Sequence, residues 1–395
     1  MKPYEVAIIG ASVSGASLAI RLGKAGLKTA LIDKQTFPRK KACGEGVSDI
    51  ALDSLYELGL KEEIEQLGGK PFFSFRIGLD QHSVTFARSS QPRLKGIGIP
   101  RYRLDKLLVD HASHAPSVTP FLGSAVTDIQ KTASLHLLSL ADGQQITARY
   151  LVLADGTNSA NARKLGIPKT SKTRSPLWGI NFVMEGEYQS TTGEVSILLK
   201  DGYEVYCTPV SDTTLNVALL ARKDKLLYLQ EKNLQQQLLL EAAEKSCFQG
   251  EVIGRPLTVG PVGSNKRPYI YDSTLLLGDT SESLDPIAGM GITHGILMSK
   301  HAANALTSIF QHGESEEKAF KNYTADCKEM SRIYRGFTQL TASLFRSPLR
   351  KVLIPALSVT QLPFLINNAL RYESASASAS NLYLPFTKFL QFLGG

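Results

Sequence analysis

Two glycine-bearing motifs stand far apart in the 395-residue chain and have the residue types that anion chemistry requires. In the first, Gly10-Ala11-Ser12-Val13-Ser14-Gly15, small residues stand where an apolar run gives way to a helical pattern. Such a turn lets the backbone approach a pyrophosphate, and the free N–H groups of the helix start hold the anion. Asp33 ends the next apolar run, about where a carboxylate binds a ribose hydroxyl of a dinucleotide, and Lys34 follows it. Ser12 replaces the middle glycine of the G-x-G-x-x-G pattern. Its Cβ crowds the phosphate approach, and its hydroxyl offers a donor in return. The second motif is Gly278-Asp279, followed by Asp285-Pro286-Ile287-Ala288-Gly289-Met290-Gly291-Ile292. It reads as a loop that closes over the far end of the same long ligand. Backbone N–H groups of the helix expected from Gly291 would stabilise negative charge there.

The elements needed to hold these residues are legible in order. Residues 4–9 are an apolar, β-branched run of strand length, typical of a strand buried on both faces. A helix is predicted over Ala16 to Gly23, and a second strand over Lys28 to Ile32. A helical stretch runs to Leu60, and residues 72–77 and 83–87 pattern as a hairpin. Residues 103–114 read as a helix, and 117–154 hold several short strands ending at Asp155-Gly156. Residues 178–220 alternate apolar and polar positions, which predicts a separate antiparallel sheet. Residues 222–247 read as helical, 272–277 as a buried strand, and a long helix starts near Gly291.

Composition sets the outer bounds. The length allows two domains, or three, with a large core. Hydrophobic content of 43% and charge of 20% are ordinary for a globular chain. The net charge of +8 is scattered, apart from Lys34, Arg39, Lys40 and Lys41. A nucleic-acid binder needs a basic stripe with interleaved aromatics, so that class is excluded. The charge serves solubility, with some attraction for anionic cofactors or membrane surfaces. Cys43, Cys207, Cys247 and Cys327 have no metal-ligand spacing, so no metal is expected. Few cysteines in a long chain point to a reducing compartment, and a cytoplasmic location is expected. No apolar run reaches the length of a membrane span.

Further motifs carry a family resemblance. Gly10 to Gly15 with Asp33, Arg101-Tyr102-Arg103-Leu104-Asp105-Lys106-Leu107-Leu108, Ala154-Asp155-Gly156 with Arg163, and Gly278-Asp279 occur in that order. The chain resembles the flavoprotein superfamily of single-component aromatic hydroxylases, geranylgeranyl reductases and flavin-dependent halogenases, over roughly residues 1–345. The resemblance implies an α/β fold: a discontinuous Rossmann-like FAD-binding domain of the glutathione-reductase type, an antiparallel-sheet substrate domain and a helical C-terminal segment. The expected boundaries are 1–70, 95–170 and 260–345 for FAD, 71–94 and 171–259 for the substrate wall, and 346–395 for a tail or lid. It implies FAD contacts from Gly10, Ser12, Val13, Ser14, Gly15, Asp33, Lys34, Cys43, Gly44, Arg101, Val126, Asp155, Gly156, Gly278 and Asp279. Pro286, Gly289, Gly291 and Ile292 would run beside the flavin ring.

The Cys43-Gly44-Glu45-Gly46 loop is similar to one that lies near the flavin in the geranylgeranyl reductases and in some hydroxylases. Glu45 or Cys43 then stands beside the reacting face; otherwise the glycines merely form a turn. No thiol nucleophile is needed for hydride or oxygen transfer from flavin, so Glu45 is the flavin-proximal candidate. Gly202 to Val210 and Leu215 to Ala218 resemble the strand pair that floors the family's pocket. The tryptophan patterns of the halogenases and reductases are absent there, and Trp178 is the only tryptophan. Trp178, Tyr203 and Tyr206 either line an apolar substrate pocket or simply pack the sheet.

The reading implied is an FAD-dependent monooxygenase that hydroxylates a hydrophobic aromatic or polyketide-like molecule through a flavin C4a-hydroperoxide, with NADPH or NADH as electron donor. The alternative is a geranylgeranyl-reductase-like C=C reductase acting on an isoprenoid or unsaturated lipid, to which the Asp285-Pro286 loop leans. The tail beyond Phe345 contains Pro355, Pro363, a Ser-Ala repeat at 374–380 and an apolar run from Leu382 to Leu390. It reads as a lid on the protein's own core, or as an interfacial anchor bringing the protein to the inner membrane. The sequence leaves the oligomeric state open.

Overall fold

The computed structural model describes residues 3–86, 94–132, 134–171, 176–190, 193–232 and 234–359. Strand Tyr4–Ile9 is central to a sheet that has eight strands among the described residues. It pairs in parallel with Thr29–Asp33 on one side and Gln145–Leu153 on the other. Val118–Leu122 and Thr274–Leu276 extend the sheet outward, also in parallel. The sheet is therefore assembled from stretches early, midway and late in the chain.

Both faces of this sheet are covered, which is why its strands show continuous apolar runs instead of alternation. Val6, Ile8 and Leu275 join the core beneath helices Val13–Lys24 and Gly291–His312. Ala7, Ile9, Leu153 and Leu276 face the opposite cluster, under the hairpin Val126–Lys131 and His136–Leu140.

A second sheet has seven strands among the described residues. In sheet order they are Phe248–Val262, Leu177–Tyr188, Thr214–Ala221, Tyr203–Pro209, Glu194–Lys200, Ser74–Leu79 and His82–Phe86. The last two form the expected hairpin. The sheet is not purely antiparallel, because Ser74–Leu79 pairs in parallel with Glu194–Lys200. Those strands come from distant parts of the chain, so no tight turn dictates their direction.

The two faces of this sheet differ. Val205, Cys207, Val217, Leu219 and Met184 pack under helices Lys223–Glu231 and Leu234–Lys245. Alternation puts Glu204, Tyr206, Thr208, Asn216 and Asn181 on the other face, which turns toward the loops of the first sheet.

Several elements depart from expectation. The first helix starts at Val13, inside the glycine motif, and not at Ala16. The stretch 222–247 is two helices. The 15-residue strand Phe248–Val262 gave no signal because it is an edge strand, mostly exposed, and burial imposes no alternation on it. Helix Glu316–Arg346, 31 residues long, buries Ala319, Phe320, Tyr323, Cys327, Ser331, Tyr334 and Thr338 on one helical stripe. Pro355 lies inside helix Arg350–Val359, which seats Ile354 against Ile77, Leu79, Val84 and Leu199 of the second sheet. Pro363, the Ser-Ala repeat and the run from Leu382 to Leu390 lie outside the described residues. No described helix is long and apolar enough to cross a membrane.

Candidate functional site

Gly10 adopts φ +109°, and a Cβ there would stand 2.4 Å from the Ala154 carbonyl oxygen. A Cβ on Gly15 would stand 1.8 Å from the Gly10 carbonyl oxygen. The two glycines thus let the helix start pack directly on the strand ends. Ser12 precedes the helix in extended conformation and its side chain does not cap it. Its hydroxyl is engaged instead with Asp105, 3.2 Å away, and with Arg101 Nη2 at 2.7 Å. The first helical N–H groups have no side-chain acceptor, the arrangement that suits an anion. Asp33, 8% exposed, accepts from the Ala11 N–H at 2.8 Å and the Gln35 N–H at 2.9 Å, bracing the loop. Lys34 beside it is exposed.

Arg101 opens helix Arg101–His114 and is buried. Its Nη2 and Nε donate to Asp105 one turn later, at 2.8 and 3.1 Å. Nη1 reaches Cys43 Sγ at 3.6 Å. Burial opposes its charge, but the Asp105 carboxylate and Cys43 more than compensate, so its pKa is raised. Arg39 approaches the same Asp105 at 3.6 Å.

Glu45 has the left-handed φ of +60°, costly for a non-glycine residue. Its amide N–H donates to Cys43 Sγ at 3.4 Å, and its carbonyl accepts from the Ile99 N–H at 2.9 Å. Its carboxyl accepts the Arg101 backbone N–H at 3.3 Å. Burial pushes this carboxyl up to about 7, against the pull of that N–H and of the Arg101 and Lys40 charges. Gly44 is exposed.

The distant motifs meet. A Cβ on Gly278, at φ +58°, would lie 2.6 Å from Ser14 Oγ. Asp279 is half-buried. Burial raises its carboxyl pKa while the Lys41 and Arg101 charges lower it. The Gly156 N–H donates to Thr280 Oγ1 at 2.7 Å, joining the Asp-Gly motif to the Gly-Asp motif. Asp155 accepts from Asn161 Nδ2 at 2.9 Å through one oxygen, while its other oxygen is buried with no hydrogen-bond partner. Arg267, which the sequence did not single out, donates to the Thr280 carbonyl at 2.9 Å. Val126 sits in the core beside Ile9 and Ile32, its carbonyl accepting from Lys164.

Asp285 caps the short turn Pro286–Ala288 through the Ile287 N–H at 3.1 Å. Gly289 at φ +65° and Gly291 have nothing within 4 Å of a built Cβ. Helix Gly291–His312 then starts with no side-chain cap, and Ile292 is buried behind it. His294 is a packing residue, with Nε2 2.8 Å from Ser331 Oγ and its ring against Tyr334.

The expected substrate residues separate. Trp178 and Tyr203 lie on the helix-covered face, where Lys223 and Lys225 stand over their rings. Of the two readings left open for them, the structure describes sheet packing: strand alternation turns both away from the first sheet's loops. Tyr206 lies on the loop-side face and donates to Glu204 at 2.7 Å. Next to it, Asn181 Nδ2 donates to Asn216 Oδ1 at 2.6 Å, and Asn216 Nδ2 donates to the Cys43 carbonyl at 3.2 Å. Asn181, Asn216, Glu204 and Arg346 form this junction; Glu204 and Asn216 lie in the segments that resemble the pocket floor, but nothing in the sequence singles out any of the four.

These residues suit a long dinucleotide. Helix starts without side-chain caps stand at both glycine motifs, open glycines line the far loop, and Asp155 carries an unpartnered buried oxygen. Among the described residues no group of three or more His, Cys, Asp and Glu is placed to hold a metal.

Comparison with known proteins points to FAD as the dinucleotide. A family model described as FAD binding domain matches residues 3–335. The chain is 27% identical over 349 residues to conditioned medium factor receptor 1 of Dictyostelium discoideum, covering 81% of this chain and 66% of that one, about two thirds of its length. It is 25% identical over 325 residues to a menaquinone reductase of Mycobacterium tuberculosis, covering 77% and 76%. Its fold is similar to that of pqsL, a probable FAD-dependent monooxygenase from Pseudomonas aeruginosa. The TM-score is 0.74 at 20% identity, covering 91% and 100% of the two chains.

Proposed function

From a chain that belongs to the FAD binding domain family and is an FAD-dependent oxidoreductase, we propose a monooxygenase that hydroxylates a hydrophobic aromatic or polyketide-like small molecule. NADPH or NADH serves as electron donor. The FAD part is a discontinuous domain of the glutathione-reductase type made by 1–70, 95–170 and 260–345. Residues 71–94 and 171–259 form the substrate wall. Ser12 to Gly15 and the first helix start would hold the pyrophosphate, Asp33 the ribose, and Arg101 and Asp279 the flavin-side half. Pro286 to Ile292 would flank the ring. Bound FAD would supply electron transfer and the activation of oxygen.

The chain's own residues would shape the reacting space. Glu45, buried and held near neutrality, can keep or release a proton at its carboxyl around pH 7. Tyr206 would present its hydroxyl from the floor, and the Asn181–Asn216 pair would hold the Cys43 loop against it.

The observation that carries the monooxygenase reading is the floor. The only tryptophan, Trp178, packs on the helix-covered face, and the loop-side face offers Tyr206, Thr208, Asn181 and Asn216. The reductase reading stays as the second. Its support is the Asp285-Pro286 opening of the far loop and the menaquinone reductase relative.

The test supplies NADPH or NADH under ¹⁸O₂ with panels of hydrophobic phenols, polyketide-like aromatics and unsaturated isoprenoids. One ¹⁸O atom in the product supports hydroxylation. Oxygen-independent gain of two hydrogens across a C=C bond would replace it with the reductase reading. A protein that binds no FAD would overturn both.

A further inference from the structure

Helix Glu316–Arg346 ends on a guanidinium held between carboxylates from two other elements. Arg346 Nε and Nη2 donate to Glu204 at 2.5 and 3.2 Å. Nη1 and Nη2 donate to Asp285 at 2.6 and 2.8 Å. Both pairs are bidentate, the geometry in which arginine imposes direction as well as attraction. Glu204 is 5% exposed on the floor strand and also receives the Tyr206 hydroxyl. Asp285 simultaneously caps the turn Pro286–Ala288 that opens the far loop. Without the cation, two carboxylates brought together here would repel.

Arg346 lies beyond the segment matched by the family model, which ends at residue 335. The clamp therefore adds a connection the family match does not include. The position of Asp285 sets where the loop begins, and the next fixed points are the buried Ile287 and Ile292. The loop continues through Gly289, in the left-handed region, to a helix start without a side-chain cap at Gly291. A glycine-bearing loop has little stiffness of its own. Its anchor at the Asp285 end is the Arg346 fork.

We propose that Arg346 is a positioning residue: its fork locks the Asp285–Gly291 loop to the floor strand, so that the cofactor-side loop and the Tyr206–Glu204 floor hold one fixed relation. The inference rests on the FAD reading above. Arg346 acts through Asp285 and Glu204 and need not touch the flavin. Loss of either partner of the fork should release the same loop, so the two losses should not add.

The experiment measures FAD dissociation constants and visible-region circular dichroism of bound FAD. It compares the full chain with Arg346→Gln, Asp285→Asn, the double variant and Arg346→Lys. Arg346→Gln and Asp285→Asn should each weaken FAD binding about tenfold, the scale of one lost fork. Both should change the visible band in the same direction, and the double variant should be no worse than either. Arg346→Lys, which keeps the charge without the fork, should fall between. Parent-like affinity and spectrum in Arg346→Gln would overturn the proposal. So would opposite, additive effects of Arg346→Gln and Asp285→Asn, because those report a charge field and no shared geometry. If Arg346→Gln does not fold, Asp285→Asn and Arg346→Lys decide the matter by the same readouts. An unaltered chain that fails to bind FAD would refute the FAD reading itself, and this proposal with it. Normal binding in every variant would refute the proposal alone.

Discussion

At the residue scale, Asp105 is fully buried among Arg101, Arg39 and Ser12 and neutralises the buried Arg101. Asp105→Asn strands that cation, and we predict a loss of roughly 3–5 kcal/mol in chemical denaturation. A loss below about 1 kcal/mol would mean that Arg101 finds another partner or water. Glu45 gives a pH-dependent prediction. Its folded pKa, about 7, exceeds its ordinary 4.5, so between those values the folded state holds more protons than the unfolded one. Stability should fall by roughly 3 kcal/mol as pH rises from 4.5 to 7 on account of this group. Glu45→Gln removes that slope; stability curves for parent and variant that stay parallel over the window would count against the buried carboxyl. His294, pushed down to about 4 by burial, works in the opposite direction. Its contribution is present above 6.5 and is lost as pH falls through 4.

Among the elements, the phosphate-loop turn depends on close approach. Gly15→Ala would drive a Cβ to 1.8 Å from the Gly10 carbonyl oxygen, so the helix start must move. The variant should be purified with little FAD and a lower melting temperature; full flavin content by absorbance would show that the turn is not the phosphate seat. The floor strand gives a contrast between residues three apart. Tyr206 faces the loops and Tyr203 faces the helices. Tyr206→Phe should lower turnover, and Tyr203→Phe should leave it unchanged. The reverse pattern in steady-state kinetics would mean that the substrate lies on the helix side. Period-two alternation was legible from residue 178 onward, but which face is loop-side was not. Both faces are buried, one by helices and one by the first sheet's loops, so hydrophobicity alone does not distinguish them.

For the molecule as a whole, the main consequence is that Gly278 packs on Ser14 and Thr280 binds Gly156, bringing segments far apart in the chain to one site. Asp279→Ala should therefore leave a folded protein with little FAD; an unchanged flavin-to-protein absorbance ratio would remove Asp279 from the site. The glycine motifs, Asp33 and the order of strands were readable because each follows from local rules, whereas Arg101 was marked only by a family motif and its pairing with Asp105 was found in the structure. Buried parallel strands are apolar runs, and tight turns need glycine. Arg346, Glu204, Asn181, Asn216 and Arg267 were not readable, because each acts on partners distant in sequence or on backbone groups. The edge strand Phe248–Val262 escaped for a related reason, since nothing buries either face enough to pattern it. The sequence by itself determined that the chain holds a dinucleotide and which local motifs could touch it, because those needs are met within one turn of chain. Only the tertiary structure decided which aromatic faces the loops and what ties the far loop to the floor, because those depend on side chains brought together across the sheets.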